Sequence, residues 1–172
     1  GVNIWNANTT VNLFDSNVTA GYYAINITSS GKNTKLNISG STVSGWAALN
    51  IWASYNEINV SNSTLIGIND KTYSEDGGNN FATICFEADT TNATVEHSFS
   101  TIVRVKNSVI KAIEKTEGNV QNLVKFNYNA SQSSVGNYIE FSGCSFESVS
   151  GHEYRFNDAP NTIKVDGVEI AK

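Results

Sequence analysis

Ile58-Asn59-Val60-Ser61-Asn62-Ser63-Thr64-Leu65 decides the fold, because its pattern returns five more times along the chain. Read as apolar, polar, apolar, any, Asn/Asp/Gly, small, any, apolar, it recurs at residues 11–18, 36–43, 103–110, 139–146 and 163–170. Each copy alternates as a strand does, breaks, and resumes with an apolar residue five positions after the second apolar one. The breaking column is Asp15, Gly40, Asn62, Asn107, Gly143 and Asp166, residue types that enter left-handed backbone at low cost. The next column, Ser16, Ser41, Ser63, Ser108, Cys144 and Gly167, is uniformly small, as a turn stacked on its own copy requires. The basic period is 22 to 25 residues with two longer units, which signals a solenoid.

A second apolar-polar-apolar triplet precedes each copy, centred on Asn3, Asn26, Asn50, Cys85, Lys125 and Arg155. Each unit therefore carries three short strands: a first around Asn59, a second around Leu65 and a third around Asn50. A strand that pairs only with its own copy in neighbouring coils makes a parallel β-helix with its apolar columns inside. The chain reads as all-β and single-domain over residues 1–172, a parallel β-helix solenoid of six three-strand coils. The chirality of crossover connections makes it right-handed. These apolar-x-apolar-x-Asn-Ser-x-apolar coils resemble right-handed parallel β-helix proteins of the pectate-lyase-like fold. The resemblance is closest to the non-enzymatic β-helix domains of bacterial surface proteins and adhesins, and covers essentially the whole chain. It implies an extracellular, cell-surface setting and a binding or adhesive role. Polysaccharide lyases and hydrolases of the same fold, and a purely structural stalk segment, are the alternatives.

Net charge is −5 with 16% charged residues, which argues against a nucleic-acid groove or an anionic membrane surface. No run of 18 apolar residues exists that could span a bilayer. The missing Met start, and an opening already inside a coil, suggest a fragment whose flanking domains belong to a longer surface protein. Eight Asn-x-Ser/Thr sequons occur, which an Asn- and Ser/Thr-rich repeat generates by composition alone. Two cysteines could form one disulfide in a secreted chain. Their columns predict two free thiols instead: Cys144 buried in the turn column, Cys85 outward and reactive unless an insertion covers it.

Residues 1–65 are three regular coils; residues 1–18 map onto 48–65 without a gap. Regularity then fails through insertions at about 66–83, 89–101, 111–122 and 127–137, all in coils 3–4 of the regular count. Clustered insertions build a lobe on one side of the rod, where solenoids often bind, although a tolerated surface excursion is the plain alternative. Residues 111–115 are compatible with a helical turn.

A hydrolase of this fold needs two facing carboxylates, and a lyase needs a carboxylate or basic cluster on an outer face. The first-strand outward column, Asn12, Asn37, Asn59, Arg104, Glu140 and Lys164, holds one acid, and the third-strand column holds none. Arg104 and Glu140 read as a cross-strand salt bridge, so no catalytic residue is assigned and the chain is expected not to be an enzyme. His97 and His152 lack partners at zinc-ligand spacing. Asp70, Glu75, Asp76 and Asn79 could gather around Ca²⁺, the one cofactor considered, against the reading of a solvated acidic loop. The most informative surface is the outer face of the third strand. Counting back three from each triplet gives Tyr22, Trp46 and Phe81; one step past it come Trp5, Thr28, Trp52 and Glu87. Asn26 and Asn50 form a floor between these aromatic edges. Rings with amides between them suit a glycan, and flat aromatic-rimmed surfaces also suit a host or cell-surface protein. Trp46 and Trp52 are expected to project outward and carry most of the binding, unless an insertion or a neighbouring domain covers the face.

Overall fold

The computed structural model describes residues 1–69, 81–88, 98–115, 120–127 and 134–172. Eighteen strands run through these residues. Coil 1 holds β1 (Val2–Ile4), β2 (Thr10–Phe14) and β3 (Asn17–Thr19); coil 2 holds β4 (Tyr23–Ile27), β5 (Lys35–Ser39) and β6 (Thr42–Gly45). Coil 3 holds β7 (Ala47–Ile51), β8 (Glu57–Ser61) and β9 (Thr64–Asn69); coil 4 holds β10 (Phe81–Phe86), β11 (Ile102–Lys106) and β12 (Val109–Glu114). Coil 5 holds β13 (Gln121–Phe126), β14 (Tyr138–Ser142) and β15 (Ser145–Glu147); coil 6 holds β16 (Tyr154–Arg155), β17 (Thr162–Val165) and β18 (Val168–Glu169).

The strands stack into three sheets. Sheet A is β1-β4-β7-β10-β13-β16, sheet B is β2-β5-β8-β11-β14-β17 with β18 at its end, and sheet C is β3-β6-β9-β12-β15. Every coil-to-coil pairing is parallel, and the register follows the repeat: Asn12, Asn37, Asn59, Arg104, Glu140 and Lys164 are successive partners. So are Asn3, Asn26, Asn50, Cys85, Lys125 and Arg155. Inward columns such as Ile4, Ile27, Ile51, Phe86 and Phe126 fill one continuous core, with Phe86 stacked on Phe126 at 4.8 Å. Truncating one of these, as in Ile51→Ala, should cost about 2 to 5 kcal/mol.

The breaking column is left-handed throughout: Asp15, Gly40, Asn62, Asn107, Gly143 and Asp166 have φ between 46° and 61°. Behind it runs a serine ladder. The N–H of Ser16 donates to Ser41 Oγ, that of Ser41 to Ser63 Oγ and that of Ser63 to Ser108 Oγ, each at 3.1 Å.

Three local expectations are corrected. Residues 111–114 continue β12 beside β9, from Lys111 opposite Ile66 to Glu114 opposite Asn69, so no helical turn forms there. The 66–83 and 111–122 insertions therefore begin later, because the second strand lengthens before the chain departs. The sixth copy does not close a coil. Asp166 and Gly167 both have positive φ and fold β18 back antiparallel on β17, the geometry an Asp-Gly pair favours in a hairpin. That hairpin occupies the C-terminal edge of sheet B, where a bare strand would invite pairing.

Candidate functional site

Strict alternation along the third strand would place Ala24, Ala48 and Trp46 on the outer face with Asn26 and Asn50. The structure breaks that alternation. Ala24 with Ile25, Ala48 with Leu49, and Leu123 with Val124 enter the main core as consecutive pairs. The outer face then continues through the preceding position, where Ala47 and Ala82 cluster with Cys85 under Tyr23. The chain reaches this strand through Gly45, where an added Cβ would lie 2.2 Å from Tyr22 O; only glycine lets the two coils approach so closely.

This shift decides where the aromatics go. Tyr22, Trp46 and Phe81 do form a stack, with centroids 4.4 and 4.8 Å apart, close to the spacing of successive coils. Their exposure departs from expectation: Tyr22 is 58% exposed, but Trp46 and Phe81 are buried at 4% and 7%. Trp46 is therefore a packing residue, and the outward column of three rings is reduced to one. On the other edge Trp5 is 64% exposed and Trp52 half-buried, two coils apart with Thr28 between them. Of the amide floor, Asn3 is exposed, Asn26 half-buried and Asn50 buried, so the face is open at coil 1 and closes toward coil 4.

Where it closes, a pocket of about 100 Å³ is lined by Tyr23, Trp52, Cys85, Glu87, Lys125 and Asn127 among others. Glu87 follows Trp52 in the outward column and is 4% exposed. Its Oε2 accepts from Asn127 Nδ2 at 2.8 Å and its Oε1 from Asn50 Nδ2 at 2.8 Å. With the nitrogen so turned, the Asn50 oxygen accepts from the Trp52 indole N–H at 2.9 Å; the opposite orientation would set amide oxygen against carboxylate. Burial pushes the Glu87 carboxyl above its ordinary 4.5, opposed by the Asn127 hydrogen bond, by Lys125 and by the Cys85 thiol. Burial also pushes the Cys85 thiol well up, reinforced by the Glu87 charge. Tyr23 is raised by burial and by Glu87 as well.

Both cysteines are free, but their environments are the reverse of those expected. Cys85 is buried and held as a thiol, so it is no nucleophile. Cys144 is half-buried, its Sγ 3.5 Å from the carbonyls of Val105 and Ser142. Arg104 sits opposite Glu140, yet its ion contact is with Glu57 one coil earlier, at 3.9 Å, while Glu140 accepts from Tyr138 Oη at 3.0 Å. His152 Nδ1 lies 2.5 Å from Glu114 Oε1. The calcium candidates Asp70, Glu75, Asp76 and Asn79, with His97, lie outside the described residues. Among the described residues no three His, Cys, Asp or Glu side chains gather as a metal site would need.

Sequence reasoning missed the Glu87 cluster. Its one visible signal was that Glu87, Lys125 and Arg155 put charges into two outward columns of the third strand that elsewhere hold Asn, Trp, Thr and Cys. The chain matches no protein-family model, no curated protein and no solved structure.

Proposed function

We propose that this chain is a non-catalytic binding module of an extracellular surface protein, and that a glycan docks on the outer face of sheet A over coils 1 to 3. The observation that carries this reading is the pair Trp5 and Trp52, two coils and so about 9.6 Å apart along one edge, beside the accessible amides of Asn3 and Asn26. Indole faces stack on sugar rings, and amides can both donate to and accept from hydroxyls. The Trp52 ring is already fixed by its N–H bond to Asn50, which lowers the entropy lost on binding. A polysaccharide lyase or hydrolase would have to rest on Glu87. Both its oxygens are engaged, and among the described residues no second acid lines its pocket.

Incubation with a panel of soluble polysaccharides tests the reading. Retention without turnover is expected, with Trp5→Ala and Trp52→Ala each weakening binding by about 1 to 3 kcal/mol; the melting temperature should hold for Trp5→Ala and fall for Trp52→Ala, which takes the indole donor from the buried Asn50 oxygen. Release of shortened products would favour the enzyme, and no retention at all the stalk. Trp46→Ala should instead cost about 3 to 5 kcal/mol of stability, so it serves as the packing control.

A further inference from the structure

The pocket of about 100 Å³ beside Trp52 has walls of two kinds. Tyr23, Trp52, Phe81 and Ala88 supply apolar surface, with the Tyr23 and Phe81 ring centroids 6.0 Å apart. Glu87 and Lys125 supply opposite charges, at 4% and 5% exposure. Lys125 pairs with Cys85 of the neighbouring coil, two residues before Glu87, so the cation and the acid are diagonal neighbours where the face closes. Replacing such buried charges by apolar residues is often neutral or stabilising, so stability of the rod does not account for their place here.

The space is too small for a pyranose ring and large enough for one substituent of such a ring. Trp52 edges the sugar face and also lines the pocket, so a sugar stacked on its indole can turn a substituent into that space. Each Glu87 oxygen takes one amide N–H and keeps a second lone pair, and the Lys125 ammonium carries three N–H donors. An acceptor, a donor and aromatic walls therefore meet in one small volume. A hydroxyl would leave the rings uncovered, a carboxylate would be brought against Glu87 and an amine against Lys125. An acetamido group matches all three features, with its N–H, its carbonyl and its methyl.

We propose that this pocket receives the acetamido group of a 2-acetamido sugar stacked on Trp52: its N–H donates to Glu87, its carbonyl accepts from Lys125 Nζ, and its methyl packs against Tyr23 and Phe81. The inference rests on the glycan reading of the outer face and deepens it by naming the class of sugar. Selectivity belongs to this pocket, because Trp5, Asn3 and Asn26 meet ring faces and hydroxyls common to most sugars.

The experiment titrates the domain with β-1,4-linked hexamers of N-acetylglucosamine, glucosamine and glucose, which differ only in the substituent at C2. The N-acetylglucosamine hexamer should bind about tenfold or more tighter than the glucose hexamer, because a buried donor and acceptor reject a ligand that leaves them unpaired. That ratio should fall toward one in Lys125→Met, which removes the donor, and in Ala88→Val, which narrows the pocket. Both hexamers are measured on each variant, so a damaged fold shows as loss of both and not as a changed ratio. Equal binding by the wild type would overturn the inference and leave the glycan reading standing. So would a glucosamine hexamer that binds tightest once salt has screened the net charge of −5, or a preference that persists in both variants. Binding of none of the three while another polysaccharide is retained would also overturn it; retention of no polysaccharide at all would end both readings.

Discussion

The two corners that flank sheet B solve one problem with different chemistry. Between sheets B and C, a left-handed residue is followed by a serine that donates to the carbonyl two residues back, as Ser63 Oγ does to Ser61 O at 2.7 Å. The same oxygen accepts the serine N–H of the coil before. Between sheets A and B, the left-handed residue is followed by Thr34, Asn56, Thr101 or Asn137, all buried. Here Thr34 Oγ1 and Asn56 Nδ2 reach back three residues to Gly31 O and Ala53 O, each at 2.8 Å. The N–H groups of Thr34, Thr101 and Asn137 donate to Asn56, Asn137 and Asn161 Oδ1 at 2.9 to 3.0 Å. Both corners are ladders with one acceptor per coil. A serine can hold only its own short turn, which explains the constant five-residue spacing there. An asparagine has an amide nitrogen to spare, and Asn137 uses it on Ser98 O and Asn161, so that corner can follow connections of different length.

The largest break in this comparison should come from Asn137→Ala. It strands the Thr101 N–H and takes the acceptor from the Ser98 hydroxyl inside the rod, and about 3 kcal/mol should be lost in urea unfolding. Ser63→Ala at the other corner removes one acceptor for one N–H, so about 1 to 2 kcal/mol is expected; an equal loss at both would show that the extra amide bonds carry no weight. Asn62→Ala should cost about 1 kcal/mol through its φ of 48°, with Asn62→Gly close to neutral. The smallest effect is in pH dependence. The Asn137 ladder contains no carboxylate, so the deficit of Asn137→Ala should not change with pH. Glu87 is different: its folded carboxyl lies above the ordinary 4.5, so the fold binds its proton more tightly than the unfolded chain does. The penalty for ionising it is absent below about 4.5, grows as pH rises toward the raised value and then stays. Thermal melts should therefore show Glu87→Gln gaining on the wild type as pH climbs through that window. A difference that stays flat would mean that Asn50, Asn127 and Lys125 offset the burial fully.

Coil pairing was legible residue by residue, because apolar triplets at constant spacing leave no alternative register for Asn12 through Lys164. The A-to-B corner was only half legible: Thr34, Asn56 and Asn137 each stand two residues before the first inward apolar residue, which is the inward parity, but a polar side chain in a connection carries no sign that it will be buried. Trp46 was misplaced for a related reason: Ala24 and Ala48 fit either face of a strand, so the double-inward step they make leaves no mark in the pattern. The final hairpin was readable in hindsight, for Gly167 stands where four copies have serine and completes an Asp-Gly pair. The burial of Glu87 depends on Asn50 and Asn127 in the neighbouring coils, which are 37 and 40 residues away in the chain.

The fold-back of β18 onto β17 closes one end of sheet B to further parallel stacking and leaves the number of coils before it open to change. A tandem duplication of any 22- to 25-residue unit upstream would add a rung of about 4.8 Å, copy both ladders with it and leave the terminator untouched. A unit copied after Val165 would meet an antiparallel edge and an exposed Val168 in place of a parallel template. An added rung would therefore stack ahead of the hairpin and carry its own outward columns, so the rod's outer faces would grow in step with its length.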